Sequence, residues 1–469
     1  MHRALLIGLL PLLGMAAIAC GGGESTGAAP DGQGRSAVGA YEFPAAPAGV
    51  PSASELDAET RAAIADAIDG AGVGVLSDGA VDRIAASGDP RVAWLLADLL
   101  RFAQAGTEQN ELVAAFEQLT GVDPSPDPSY EASPWLSVTN HLIAWDLPAP
   151  PGYREAKGDL FTALEPGWRP FFAGADSEID WRLVSWGGVL IDDRPLGDGG
   201  PCERGCIPAL DDPPLTDADG GDWYPDERIV FGVEVGGEAV ALPKNLMEVH
   251  EMVNMDLGGR RLGIPYCTLC GSAQAYFTDR EQVGGEDLVL RTSGLLSRSN
   301  KVMYELGSGS VFDTFTGEAL SGPLRRRGVE LRQAGVVTAT WGEWKAEHPD
   351  TRILAADGGL GRDYPLDPLG GRDDDGPIFP VGPVDDRLPA QERVVGVIAT
   401  SGDAVAFEAD EARLAIERGE AVTASGVELV ADAGGLRASE NGEELPAHEA
   451  FWFAWSQFHP DTGLWPERE

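Results

Sequence analysis

Two segments of this chain, far apart in sequence, read almost alike. Arg228 to Leu242 is RIVFGVEVGGEAVAL, and Arg393 to Phe407 is RVVGVIATSGDAVAF. Each is a β-branched run, a Gly-containing turn and a second apolar run, which is the pattern of a hairpin. A helix-like stretch follows each one, at 244–254 and 409–419, and then a further strand pair. A chain that repeats this unit is held to a β-rich body. The repeat predicts two related halves, about 228–305 and 393–460, packed as one duplicated domain over 201–465. The fold class expected is α+β, a helical N-terminal module followed by a duplicated β-rich domain with short helices.

The module ahead of the repeat reads differently. Residues 1–20, MHRALLIGLLPLLGMAAIAC, have a basic start, an apolar run too short to span a bilayer, and small residues before Cys20. This is the layout of a signal peptide ending in a lipoprotein-type cysteine. Lipidation of Cys20 would anchor the body outside the cytoplasm, at the cell membrane or the outer membrane. Residues 21–51 are rich in Gly, Ser and Ala and read as a flexible linker. From 52 to 125 the pattern is helical. Ser54 and Asp57 precede one helix, Asp89-Pro90 opens RVAWLLADLLRF, and Gly121 closes ELVAAFEQLTG. These helices are similar to HEAT-like pairs, which implies packing or a protein partner. A connector with five tryptophans among Pro and Gly fills 126–200.

The formal charge is −42, from 76 acidic and 34 basic residues. Such a surface repels phosphate backbones and excludes nucleic-acid binding. The chain has no phosphate-binding glycine loop and no spacing that argues for a Ser-His-Asp set. The acidic loop Asp211, Asp212, Asp217, Asp219, Asp222 and the run Asp373-Asp374-Asp375 read as solvated loops rather than calcium sites. Arg325-Arg326-Arg327 reads as a source of internal ion pairs.

Chemistry therefore concentrates on the cysteines. Cys202-x3-Cys206 lies in a Gly/Pro-rich loop, where an exported protein is expected to form a small disulfide. Cys267-Thr268-Leu269-Cys270 follows a strand-like stretch and is closed by Gly271. Two thiols at this spacing can chelate one metal or form an exchangeable disulfide. His250 is the best third ligand, with Glu251 beside it as an orienting group. A Cys2His set suits a soft metal such as Cu or Zn. The readings in order are a soft-metal site at His250, Cys267 and Cys270; a thiol–disulfide redox protein using Cys267 and Cys270; and a binding or scaffold protein with structural disulfides. Whether the protein is an enzyme stays open. Ser293, Gly294, Ser299 and Asn300 are polar positions between apolar strands and are expected near the same pocket. In the second copy of the repeat, Ala415 stands opposite His250 and Gly434 near Cys267, so the fold itself asks for neither group.

The segments IPYCTLCGSAQAYF, TSGLLSRSNKVMYE, FDTFTGEALSGPL, TATWGEWKAEHPDT and FWFAWSQFHPDT resemble, in order and spacing, the bacterial and archaeal family called domain of unknown function 3179. The likeness runs from about 185 to 465. It implies that His250-Glu251 and Tyr266 to Gly271 stand where typical members carry His-Glu and Tyr-Cys-x-x-Cys-Gly. It marks the Cys202/Cys206 pair as a local addition, and implies no substrate or cofactor.

Overall fold

The computed structural model describes residues 41–467 apart from 52–53, 78, 175–176 and 372–375. Cys20, most of the linker and Asp373 to Asp375 lie outside the described residues. Helices come first and a sheet-rich domain follows. No described helix is long and apolar enough to cross a membrane.

Among the described residues, six helices of seven residues or more build the first layer: α1 (Ala58–Gly72), α2 (Ala80–Ala86), α3 (Ala93–Phe102), α4 (Thr107–Thr120), α5 (Pro134–Ala144) and α6 (Tyr153–Leu164). Their ends follow local chemistry. Asp57 caps α1 by accepting from Thr60 N at 2.7 Å. Asp89 accepts from Arg91 N in the turn that leads into α3. Gly121 ends α4 at φ 72°, a left-handed position that suits glycine. Helix α3 is buried from Ala93 to Leu100, because it lies in the middle of the layer. It therefore buries Asp98, which pairs with the equally buried Lys157 of α6 at 2.8 Å. Burial alone would neutralise either charge, and together they satisfy each other.

The segment read as an irregular connector contains α5 and α6, and its strand Val184–Trp186 joins a sheet. Its tryptophans pack. Trp135, Trp168 and Trp181 are buried, and Trp168 Nε1 donates to Ser293 O at 2.7 Å. Arg101 lies between the rings of Trp135 and Trp186, at 4.5 and 5.0 Å.

Five sheets of four to six strands follow among the described residues, and together they look like the blades of a five-bladed propeller. The first has the order Val337–Thr340, Ile229–Val235, Glu238–Pro243, Arg352–Leu354, Leu215–Asp217. The second centres on Met252–Leu257 and Arg260–Cys267, the third on Leu290–Ser297 and Asn300–Glu305. The fourth runs Ala447–Phe451, Arg393–Ile398, Ala404–Glu408, Gly463–Trp465, and the fifth centres on Val427–Asp432 and Gly435–Glu440.

This corrects the expectation of a duplicated domain in two halves. The two similar segments do form hairpins, in the first and fourth blades. Both blades also end alike. A helix, Trp341–Glu347 or Trp452–Phe458, carries the chain across to a strand parallel to its neighbour. A parallel strand needs such a crossover. Under each helix a tryptophan lies over a glycine of the hairpin. A Cβ on Gly232 would stand 2.3 Å from the Trp344 ring, and one on Gly396 would stand 2.2 Å from the Trp455 ring. Each indole donates to a threonine seven residues on, Trp344 to Thr351 and Trp455 to Thr462, both at 2.9 Å. The likeness covers two blades of five. The third blade has no counterpart in the second segment, so the domain does not divide into halves.

Candidate functional site

The second blade delivers the CxxC pair. Strand Arg260–Cys267 ends at Cys267, residues Thr268–Cys270 make one 3-10 turn, and Gly271 reverses the chain at φ 61°. Cys267 then stands opposite Ser272 on the returning strand. Gly271 is required twice over. Its φ is left-handed, and a Cβ would meet the Phe451 ring of the fourth blade at 3.0 Å.

Cys267 and Cys270 are joined as a disulfide with their Cα atoms 5.2 Å apart. They are 2% and 0% exposed, and so lie under a cover rather than on the surface. Part of that cover is the tip of the third blade's hairpin, Arg298-Ser299. Arg298 sits at φ 54°, an uncommon conformation for a residue with a side chain. The tip brings Ser299 O to 3.5 Å from Cys270 Sγ and 3.9 Å from Cys267 Sγ. Asn300 Oδ1 is 2.6 Å from Cys270 Sγ. The other end of that amide, Nδ2, is buried with no hydrogen-bond partner among the described residues, as is Ser299 Oγ.

A polar chain leads away from the turn. Thr268, between the cysteines, donates to Glu251 Oε1 at 3.2 Å. Glu251 caps the preceding helix at φ 53°. Its backbone oxygen and Oε2 both accept from Lys301 Nζ, at 2.6 and 3.3 Å. Lys301 is 3% exposed, and burial holds its ammonium below the usual lysine range while Glu251 opposes that shift. On the other side of the turn, Gln274 lies between Ser272 and His448, 3.4 and 3.3 Å away. Burial lowers the His448 pKa to about 3, so its imidazole is neutral.

His250 is elsewhere engaged. Its Nδ1 lies 2.7 Å from Pro208 O and its Nε2 2.7 Å from Tyr364 Oη. Nδ1 therefore carries the proton and Nε2 accepts from tyrosine. Burial lowers its pKa to about 4. Both ring nitrogens are occupied, and among the described residues no three His, Cys, Asp or Glu side chains group as metal ligands. The expected set of His250, Cys267 and Cys270 is thus not brought together. The reason is local. Glu251 turns the chain at the helix end, and His250 faces the 202–209 loop instead of the strand that carries Cys267.

Cys202 and Cys206 are bonded to each other, with Cα atoms 5.5 Å apart. His250 holds the same loop at Pro208. Of the other polar positions, Ser299 and Asn300 touch the CxxC sulfurs. Ser293 Oγ instead donates to Val302 O, and Gly294 lies against Val189 O, so both serve the bulge in the third blade. Asp211 pairs with Arg291 and Asp212 with Arg261. Arg325 pairs with Glu178 and Glu318, and Arg327 with Glu281.

Sequence reasoning missed Thr268, Lys301, His448 and Phe451. A trace of Lys301 is present in SNKVMYE, where one cation enters a strand that is otherwise buried. His448 and Phe451 reach the site only through the fourth blade, and nothing local announces them.

No curated protein and no solved structure is matched by this chain. The family model described as "Protein of unknown function (DUF3179)" matches residues 204–441, just over half of the chain. That span holds the Cys267/Cys270 pair, Glu251 and Lys301 and begins just after Cys202, and the chain belongs to this family.

Proposed function

We propose that Cys267 and Cys270 form a thiol–disulfide redox centre, in a protein held outside the cytoplasm by lipid on Cys20. The observation that carries the reading is what surrounds Cys270. Ser299 O and Asn300 Oδ1 are acceptors, and a disulfide sulfur has no proton to give them. A thiol does. The Asn300 amide has a free donor end as well, so a rotation would present N–H to a thiolate. The surroundings thus suit the reduced pair at least as well as the bonded one, while the turn keeps the sulfurs close enough to rejoin.

The step balances simply. A dithiol partner gives two electrons and two protons to the Cys267–Cys270 bond. The partner leaves as a disulfide, and the pair becomes two thiols that donate to Ser299 O and Asn300 Oδ1. Thr268, Glu251 and Lys301 hold the turn in place during the exchange. Burial of both sulfurs restricts exchange to partners admitted as the Phe451 and Arg298-Ser299 cover opens.

Purified protein equilibrated in glutathione or dithiothreitol buffers, with thiols counted by mass spectrometry, tests this. The expected result is reversible two-electron reduction of the pair in the folded protein, at a potential above about −300 mV, where exchangeable disulfides lie. A pair that resists reductant until the protein unfolds would leave only a structural staple. One equivalent of copper or zinc, bound by wild type and lost in Cys267→Ser, would overturn the reading in favour of metal.

A further inference from the structure

A cavity of about 190 Å³ lies between the third blade and the 178–184 segment. Its wall is mainly apolar and includes Trp181, Leu295, Val311, Phe312 and Phe458. That space fits a small organic molecule. Four charged residues are among those that line it: Glu178, Asp180, Lys301 and Asp313. Three are already answered. Glu178 pairs with Arg325, Asp180 with Arg182 at 2.6 Å, and Lys301 with Glu251.

Asp313 differs. Its Oδ1 accepts from Phe315 N and Thr316 N at 2.7 and 3.0 Å, which fixes the carboxylate. Among the described residues it makes no ion pair. Burial raises its pKa, and no cation offsets this. A carboxylate fixed in the wall of an aromatic-lined cavity, unpaired among the described residues, suits a cation that brings its own apolar body. A carboxylate ligand fits worse, since the Lys301 ammonium is spent on Glu251. The −42 net charge also concentrates cations around the molecule.

We propose that this cavity binds a small organic amine in its cationic form, with Asp313 as the counter-charge and the aromatic wall around its apolar part. The proposal does not depend on the redox reading of the cysteines.

Calorimetric titration of the full chain with 2-phenylethylamine, 2-phenylethanol and 3-phenylpropanoate tests it. The expected result is saturable one-to-one binding of the amine, at least tenfold weaker binding of the alcohol and none of the carboxylate. Asp313→Asn keeps an oxygen for Phe315 N and Thr316 N and removes the charge, so it should weaken the amine at least tenfold. Ser297→Leu, which narrows the cavity without touching charge, should weaken amine and alcohol alike. No saturable amine binding, equal binding of amine and alcohol, or amine binding unchanged in a folded Asp313→Asn protein would each overturn the proposal. If Asp313→Asn does not fold, the wild-type comparison of amine with alcohol decides alone.

Discussion

His250 shows how a residue with a metal ligand's profile can serve as a clamp. It closes two hydrogen bonds at 2.7 Å and ties helix Lys244–His250 to the Pro208 loop and to Tyr364. His250→Gln should cost about 1–3 kcal/mol in denaturant unfolding at pH 7, by leaving buried partners unpaired. It should leave the thiol count and redox behaviour of Cys267 and Cys270 unchanged. A loss of that behaviour in a folded variant would return His250 to the cysteine site. The same residue sets a pH dependence. Its folded pKa of about 4 lies below the unfolded value near 6.5. A lowered histidine contributes stability that is whole above about pH 6.5 and is lost as pH falls through 4. For His250 alone this amounts to about 3 kcal/mol, at ~1.4 kcal/mol per unit. Melting temperatures from pH 7 to 4 should therefore fall less steeply in His250→Gln than in wild type. At the cysteine site, Glu251→Gln keeps the acceptor for Thr268 and weakens the hold on Lys301. It should change the pair's redox midpoint at a fixed pH of 7, whereas an unchanged midpoint would make Glu251 purely architectural.

At the scale of elements, the paired glycine and tryptophan explain the resemblance between the two segments. The crossing helix of each blade sits close to its hairpin because Gly232 and Gly396 have no side chain there. Gly396→Ala should destabilise by at least ~1–3 kcal/mol, measured as a lower denaturant midpoint, since the Trp455 ring has no room to yield. Trp455→Phe alone should also destabilise, by giving up volume and the bond to Thr462. Combined with Gly396→Ala it should cost clearly less than the two separate losses added together. Additive losses would mean the contact is not the constraint. These elements were legible in the sequence because strand, turn and helix signals are local, as Asp57, Asp89 and Gly121 also illustrate. The third blade was legible only in part, as apolar strands around Ser293 to Asn300. Its hairpin turns through Arg298, a residue that carries no turn signal, and its first strand, Val184–Trp186, comes from a segment of scattered tryptophans. The CxxC was legible as a site for the same local reason. Its neighbours Lys301, His448 and Phe451 come from other blades and were hidden by sequence distance.

At the scale of the molecule, the charge of −42 is a standing self-repulsion on a folded body. Salt screens it over about 10 Å at 0.1 M. The melting temperature should therefore rise between 10 mM and 0.5 M sodium chloride. A fall would show that the many surface arginine–carboxylate pairs outweigh the repulsion. The helical layer and the third blade also share one hydrophobic core. Leu295, Val302, Tyr304 and Val311 of the third blade share a core with Ile84, Leu95, Phe116 and Phe161 of the helices. The stretch that defines the family, 204–441, stops short of the Ala447–Phe451 strand and the Trp455 helix, and begins after the helices that cover the third blade. A fragment trimmed to those limits would lose the Phe451 lid over Gly271 and bare an apolar face. The portion by which the family is recognised is therefore smaller than the portion that must fold. Relatives cut to the shared stretch should be collected as insoluble material, and whole chains as soluble protein.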